Sequence, residues 1–172
     1  INKAILNLVR RLDRNGAIIG AICTGTYVMA AAGLLDGRRC TIHWENIDGL
    51  AEEFQDLYIT TDLFEIDGNR VTCSGGTASL DMMLNLISHS HGTKLAAEIS
   101  DQFIHDRIRE PTDRQRMELR SRIGVSHPKL LAVVKTMEDN LEEPLPQTAI
   151  ARGTGLSTRQ LERLFRKYLN TT

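Results

Sequence analysis

Two stretches of this chain bring together residues able to do chemistry. The first is Gly20-Ala-Ile-Cys23-Thr-Gly25, where an apolar run ends at a cysteine and small residues follow. A strand running straight into a cysteine and then a helix places the side chain on a tight turn at the strand's carboxyl end, the geometry of a nucleophile elbow. There the first N–H groups of the helix and the positive end of its dipole favour thiolate. The same amides suit an oxyanion hole or an anion site. A small cysteine that simply fits between strand and helix explains the same residues. His43, followed by Trp44, is the histidine placed to support nucleophilic catalysis with Cys23. A polar contact to a ligand, or to backbone, is its plainer role. Ser74-Gly-Gly-Thr-Ala-Ser79 follows one strand and opens a helix, so the N–H groups at Gly75 and Gly76 are expected to face the same pocket. It lacks the lysine of a phosphate-binding loop. A redox role for Cys23 with Cys73 as resolving thiol would need the two sulfurs within disulfide reach.

The second stretch is LPQTAIARGTGLSTRQLERLFRKYLNTT, residues 145–172. Its spacing predicts a short helix over Gln147–Arg152, a tight turn at Gly155 and a second helix capped by Ser157. Leu161, Leu164 and Phe165 form one apolar stripe at i, i+3, i+4. Arg159, Gln160, Glu162, Arg163, Arg166 and Lys167 take the other face. A glycine at the turn, a small residue at the crossing and a basic outer face are what a DNA-reading helix-turn-helix needs. An ordinary helical hairpin with a solvated charged face has the same spacing.

The elements that would position these residues alternate over residues 1–108. An amphipathic helix is expected from Asn2 to Arg14, with Ala4, Ile5, Leu8, Val9 and Leu12 on its apolar face. Gly16–Ile22 is a continuous apolar run, suited to a strand buried on both sides. A helix over Gly25–Leu35, a strand over Arg39–His43, a helix over Glu45–Phe54 and a strand over Leu57–Thr61 follow. Phe64–Asp67 and Arg70–Cys73 flank the hairpin turn Gly68-Asn69. Helices are then expected over Gly76–Ser90 and Lys94–Ile108. His89 and His91 fall at a helix end, where capping or solvation suits them better than metal. This order argues a doubly wound α/β domain. Residues 109–126 read as a charged linker. A helix from His127 to Asn140, with Leu130, Leu131, Val134 and Met137 inward, opens a small helical domain over 127–172.

The 172 residues carry a net charge of −1, but residues from Leu145 onward carry +4 and the remainder −5. A basic module on a mildly acidic body fits a DNA-binding appendage. No run approaches the roughly 20 apolar residues of a membrane span. Three cysteines without ligand spacing point to a reducing cytoplasm and to no metal.

Two blocks carry a resemblance. AICTGTYVMAAAGLLDGRRCTIHW (21–44) and VTCSGGTASLDMMLNLI (71–87) resemble the ThiJ/PfpI branch of the class I glutamine-amidotransferase-like, flavodoxin-like fold. AIARGTGLSTRQLERLFRKYL is similar to the first half of an AraC/XylS-type DNA-binding domain. Their order resembles that of the GlxA-like transcriptional regulators. The resemblance implies an incomplete α/β sensor over 1–108, and a 127–172 domain holding only the first helix-turn-helix. The chain thus reads as a fragment truncated at both ends. It implies a homodimeric, sequence-specific binder of promoter DNA responding to a small, nitrogenous effector, without cofactor or membrane partner. Cys23 would occupy the nucleophile position and His43 the histidine beside it, with Thr24, Gly75 and Gly76 completing the ligand pocket. Arg159, Glu162 and Arg163 would approach bases, with Ser157 and Gln160 on the same face. Arg166 and Lys167 would meet phosphates. Thr24 stands where active hydrolases of that fold carry a histidine, so the expectation is a regulator and not an enzyme. The competing reading is a Cys-dependent amidase or glyoxalase-type enzyme with a helical appendage.

Overall fold

Ile19–Ile22 (β1) lies parallel to Arg70–Cys73 (β5), Ile19 opposite Arg70 and Ile22 opposite Cys73, in a computed structural model that describes residues 1–171. Thr172, the end of the expected 127–172 domain, lies outside the described residues. The chain divides into two units, Ile1–Arg116 and Met117–Thr172.

In the first unit, Phe64–Asp67 (β4) pairs antiparallel with β5 through the expected Gly68-Asn69 turn. Gly68 has φ +62°, a conformation open to a residue without a Cβ. Arg39–Thr41 (β2) runs parallel to Tyr58–Thr60 (β3). The Thr41 N–H donates to Thr72 Oγ1 at 2.9 Å and ties this pair to β5. The helices are Lys3–Arg14 (α1), Thr26–Ala31 (α2), Ile47–Glu53 (α3), Ala78–His91 (α4) and Thr93–Gln102 (α5). Leu35, Ile42, Leu50 and Phe64 are fully buried between them. Each such side chain contributes about 1.5–3 kcal/mol by leaving water.

Several expectations need correcting. β1 is buried on one side only: Ile19 and Ala21 face the core, while Ile22 is 54% exposed. Successive side chains of a strand point to opposite faces, and the described core covers one of them. On α1 the expected apolar face is largely solvated, Ile5, Leu8 and Leu12 being 48%, 45% and 40% exposed. Of the expected face Val9 keeps its core contact, joined by Leu6, and Arg10 donates to the carbonyls of Ala31 and Ala32. The helix expected from Gly25 is replaced at its start by a 3-10 turn, Cys23–Gly25, with α2 ending at Ala31. α5 stops at Gln102, because the chain turns back through Ile104 at φ +54° toward a buried carboxylate on α4.

The second unit contains Leu119–Ile123 (α6), Pro128–Glu138 (α7), Gln147–Gly153 (α8) and Thr158–Leu169 (α9). Val133, Ile150, Ala151 and Leu161 form its core, with Leu156 and Phe165 against it. On α7, Leu130 and Val133 are the fully buried residues, and Met137, expected inside, is 41% exposed.

Candidate functional site

The apolar run of β1 delivers Cys23 onto its turn at φ +55°, a left-handed conformation rare for a residue with a Cβ. Thr26, fully buried, closes the turn: its Oγ1 lies 3.2 Å from the Cys23 carbonyl and donates to Thr41 O at 3.0 Å. Opposite stands Gly75 at φ +96°, where a β-carbon would sit 2.7 Å from that of Cys23 and 3.3 Å from its sulfur. The elbow geometry read from the sequence is therefore present. The Cys73 thiol is pushed up by burial, against the pull of the Gly75 and Cys23 N–H groups. Cys23, Cys40 and Cys73 are all free thiols.

Beside the elbow, at the start of α4, lies a cavity of about 200 Å³. It brings together His43, Gly75 and Gly76 from the residues expected at the pocket. Cys23 sits behind Gly75 and does not line it, and Thr24 is exposed on the 3-10 turn. His43 is half-buried, with Nδ1 accepting from the Glu45 N–H at 3.4 Å and 3.7 Å from Glu45 Oε2. Trp44, also in the wall, carries the Arg116 guanidinium 3.9 Å above its ring centroid, within cation–π range.

The sequence reading missed three residues that shape this cavity. Arg109 and Gln115 line it, and Asp81 holds Arg109 in place. Asp81 is 0% exposed; it accepts from the Arg109 N–H at 2.8 Å and from Arg109 Nε and Nη2 at 2.9 and 2.6 Å. His105 Nε2 lies 2.8 Å from its other side. Burial alone would raise the Asp81 carboxyl. The Arg109 N–H, His105 and the Arg109 guanidinium outweigh burial and hold it below the usual carboxylate range. Gln115 Nε2 donates to Thr41 Oγ1, Ile42 O and Asp62 O at 3.0, 3.0 and 2.8 Å, so Arg109 and Gln115 both fasten the 109–115 stretch to the first unit. Only one signal pointed there: a lone acid, Asp81, on the otherwise apolar side of α4.

In the second unit Ser157 caps α9 with a full capping box. Its Oγ accepts from the Gln160 N–H at 3.2 Å, and Gln160 Oε1 accepts from the Ser157 N–H at 2.9 Å. Gly155, at φ +64°, makes the turn, and Lys129 Nζ donates to its carbonyl at 3.1 Å. Ala151, 2% exposed, sits among Val133, Ile150 and Leu161 in the core of the helix pair. Leu161 points inward, whereas Arg159, Arg163, Arg166 and Lys167 are exposed together on the outer face. Ser157 and Gln160 spend their oxygens on the cap, and Glu162 Oε1 takes a 3.4 Å bond from Gln147. The three arginines and Lys167 are thus the outward-reaching groups of this face. Among the described residues no helix is long and apolar enough to cross a membrane.

The sequence pattern of the DJ-1/PfpI family matches residues 1–89. Over 172 residues the chain is 49% identical to the HTH-type transcriptional regulator CdhR of Pseudomonas aeruginosa, covering 100% of this chain and 51% of that protein. The HTH-type transcriptional regulator GlxA of Rhizobium meliloti is 47% identical over 163 residues, 95% of this chain and 50% of that protein. The chain spans about half the length of the curated relatives it matches. A solved structure of an AraC family transcriptional regulator from Pseudomonas putida shares the fold, with a TM-score of 0.55 at 24% identity over 60% of this chain and 56% of that one.

Proposed function

The chain belongs to the DJ-1/PfpI family, and we propose that within it the protein is a sequence-specific DNA-binding transcriptional regulator, not an enzyme. Its flavodoxin-like α/β unit senses a small, nitrogenous metabolite and dimerises. Its helical unit enters the major groove of promoter DNA in the cytoplasm. In this reading the sensor expected over 1–108 takes in the first part of the expected 109–126 linker, fastened to it through Arg109 and Gln115, and 127–172 is the DNA-binding domain.

One observation carries it: on α9, Leu161 is buried while Arg159 and Arg163 stand outward over a capping box that rigidifies the helix start. That is the division of labour of a recognition helix, with the apolar side on its partner helix and the basic side free for the groove. Arg159 and Arg163 approach bases, Glu162 flanks them, and Arg166 and Lys167 meet phosphates. Ser157 and Gln160 serve mainly by holding the helix start. Cys23, Thr24, His43, Gly75 and Gly76 belong to the sensing end.

The test is retardation of promoter DNA across a salt series, with and without metabolites found by a thermal-shift screen of amino acids and quaternary amines. A ligand that binds the folded state raises the melting temperature. Specific retardation that responds to a ligand supports the reading, and binding indifferent to sequence removes it.

The left-handed turn at Cys23 favours one alternative, a Cys-dependent amidase or glyoxalase-type enzyme. Turnover of amides or α-oxoaldehydes at ordinary enzymatic rates, lost in Cys23→Ser, would establish that reading instead.

A further inference from the structure

We propose that the start of α7 is a second phosphate-binding surface beside α9, with Lys129 as its contact to the DNA backbone. This rests on the reading of α9 as a helix that enters the major groove, and it adds α7 to the interface.

Lys129 stands in the first turn of α7, and its ammonium rests on the turn that leads into α9. Nζ donates to the Gly155 carbonyl at 3.1 Å, and Ser157 caps the helix just beyond. At the other end of α9 the His127 ring lies 5.3 Å from the ring of Tyr168, and Lys167 Nζ lies 5.0 Å from that same ring. The start of α7 is thus tied to both ends of α9. A major groove about 12 Å wide is nearly filled by a helix of about 10–12 Å, so a phosphate backbone runs close along each flank of an inserted helix. The first residues of such a helix approach the bases, which puts the turn before them at the edge of the groove. Lys129 sits on that turn. A lysine ammonium has three N–H groups; Gly155 takes one, and two are left for a phosphate. The bond to Gly155 also fixes the long side chain in advance, which lowers the entropy lost on binding.

Charge on the second unit is sorted in the same sense. Lys129, Arg159, Arg163, Arg166 and Lys167 are exposed, and among the described residues no carboxylate pairs with them. The basic residues elsewhere on α6 and α7 are engaged instead: Arg122 with Glu138 at 2.8 Å and Lys135 with Asp139 at 3.3 Å. The acids Glu138, Asp139, Glu142 and Glu143 gather at the end of α7 and in the loop after it. Lys129 and Glu138 stand near opposite ends of the eleven-residue α7, roughly 14 Å apart along its axis, beyond the screening length of about 8 Å at physiological salt. Glu162, the acid on α9, takes its bond from Gln147 of α8.

A brace and a phosphate contact are separated by the charge. Lys129→Gln keeps an N–H for the Gly155 carbonyl and removes the positive charge. Affinity of the full chain is measured between about 50 and 200 mM salt on two probes, a random-sequence duplex of about 30 base pairs and the duplex that the chain selects from a random pool. Each phosphate neutralised contributes about −0.9 to the slope of log affinity against log salt. Lys129→Gln is expected to flatten that slope by about 0.9 on both probes and to weaken both roughly three- to ten-fold at physiological salt. Lys129→Arg, which keeps the charge, should restore the slope. Lys135→Gln, which removes a charge at the far end of α7, should leave it unchanged. A parental slope in Lys129→Gln at unchanged circular dichroism overturns the proposal, because Lys129 is then only a brace. Equal flattening by Lys135→Gln overturns it too, because net charge then suffices. The two readings fail separately. A chain that binds both probes equally, with a slope that Lys129→Gln flattens, removes the sequence-specific regulator alone. A chain that prefers the selected duplex, with a slope indifferent to Lys129, removes the contact alone.

Discussion

A β-carbon at Gly75 would stand 2.7 Å from that of Cys23, closer than real β-carbons approach one another. The turn after β1 and the turn after β5 are therefore in contact through a position that only glycine fills, and φ +96° at Gly75 reinforces the demand. Gly75→Ala is expected to destabilise the first unit by about 2–4 kcal/mol, combining overpacking with left-handed strain. Urea denaturation checks this, and a midpoint within error of the parent would show that the two turns move apart freely.

The Asp81 carboxyl has a depressed pKa in the folded state, held by Arg109 and His105 against the cost of burial. A group with a lowered folded pKa contributes stability above its unfolded value, about 3.9, and that contribution is lost as pH falls through the lower folded value. Asp81→Asn should cost about 3 kcal/mol near neutrality, since it leaves the Arg109 guanidinium poorly paired. The penalty should shrink below pH 4. Stability measured from pH 7 to pH 3 for parent and variant tests the sign; curves that stay parallel would remove Asp81 as the anchor of the 105–109 turn.

Cys40 is fully buried, and burial, with the Glu65 charge beside it, pushes its thiol up to about 11. Cys73 is buried and shifted the same way, while Cys23 is half-buried. A thiol reagent at pH 8 should therefore titrate one cysteine of the native protein quickly and the other two only on unfolding. Cys23→Ser should abolish the fast phase. The same variant should keep any ligand response, because Cys23 lies behind Gly75 and outside the cavity wall.

Arg163→Ala, on the exposed face of α9, should lower specific operator affinity by roughly 10- to 100-fold, the worth of one lost base contact at about 1–3 kcal/mol. Its thermal unfolding should be unchanged. Ser157→Ala should do the reverse: a loss of about 1 kcal/mol of stability through the capping box, with only a modest effect on affinity. Gel retardation beside calorimetry separates the two, and swapped outcomes would refute the division between reading and scaffolding residues on this helix.

How much could be read in advance differs between the units. The helix-turn-helix was legible almost residue by residue, because its signals are local: a cap three residues from its partner, a glycine at φ +64°, an apolar stripe at helical spacing. The elbow at Cys23 was legible for the same reason, an apolar run broken by a cysteine and small residues. α1 was harder. Its apolar side could be found from periodicity, but the core kept Val9 from that side and added Leu6, and nothing within the helix specifies which way a broad apolar face is turned.

The order of apolar runs, turns and caps along the chain was enough to settle the α/β class of the first unit, the helical nature of the second, and the residues that α9 presents outward. The cavity wall was decided only by tertiary structure. Arg109 and Gln115 lie in a charged stretch without periodicity, 28 and 74 residues from Asp81 and Thr41, which hold them. Local propensity carries no record of such pairings. They arise because a carboxylate sealed inside α4 and carbonyls at the ends of β2 and β3 must find donors, and the chain that happens to pass supplies them.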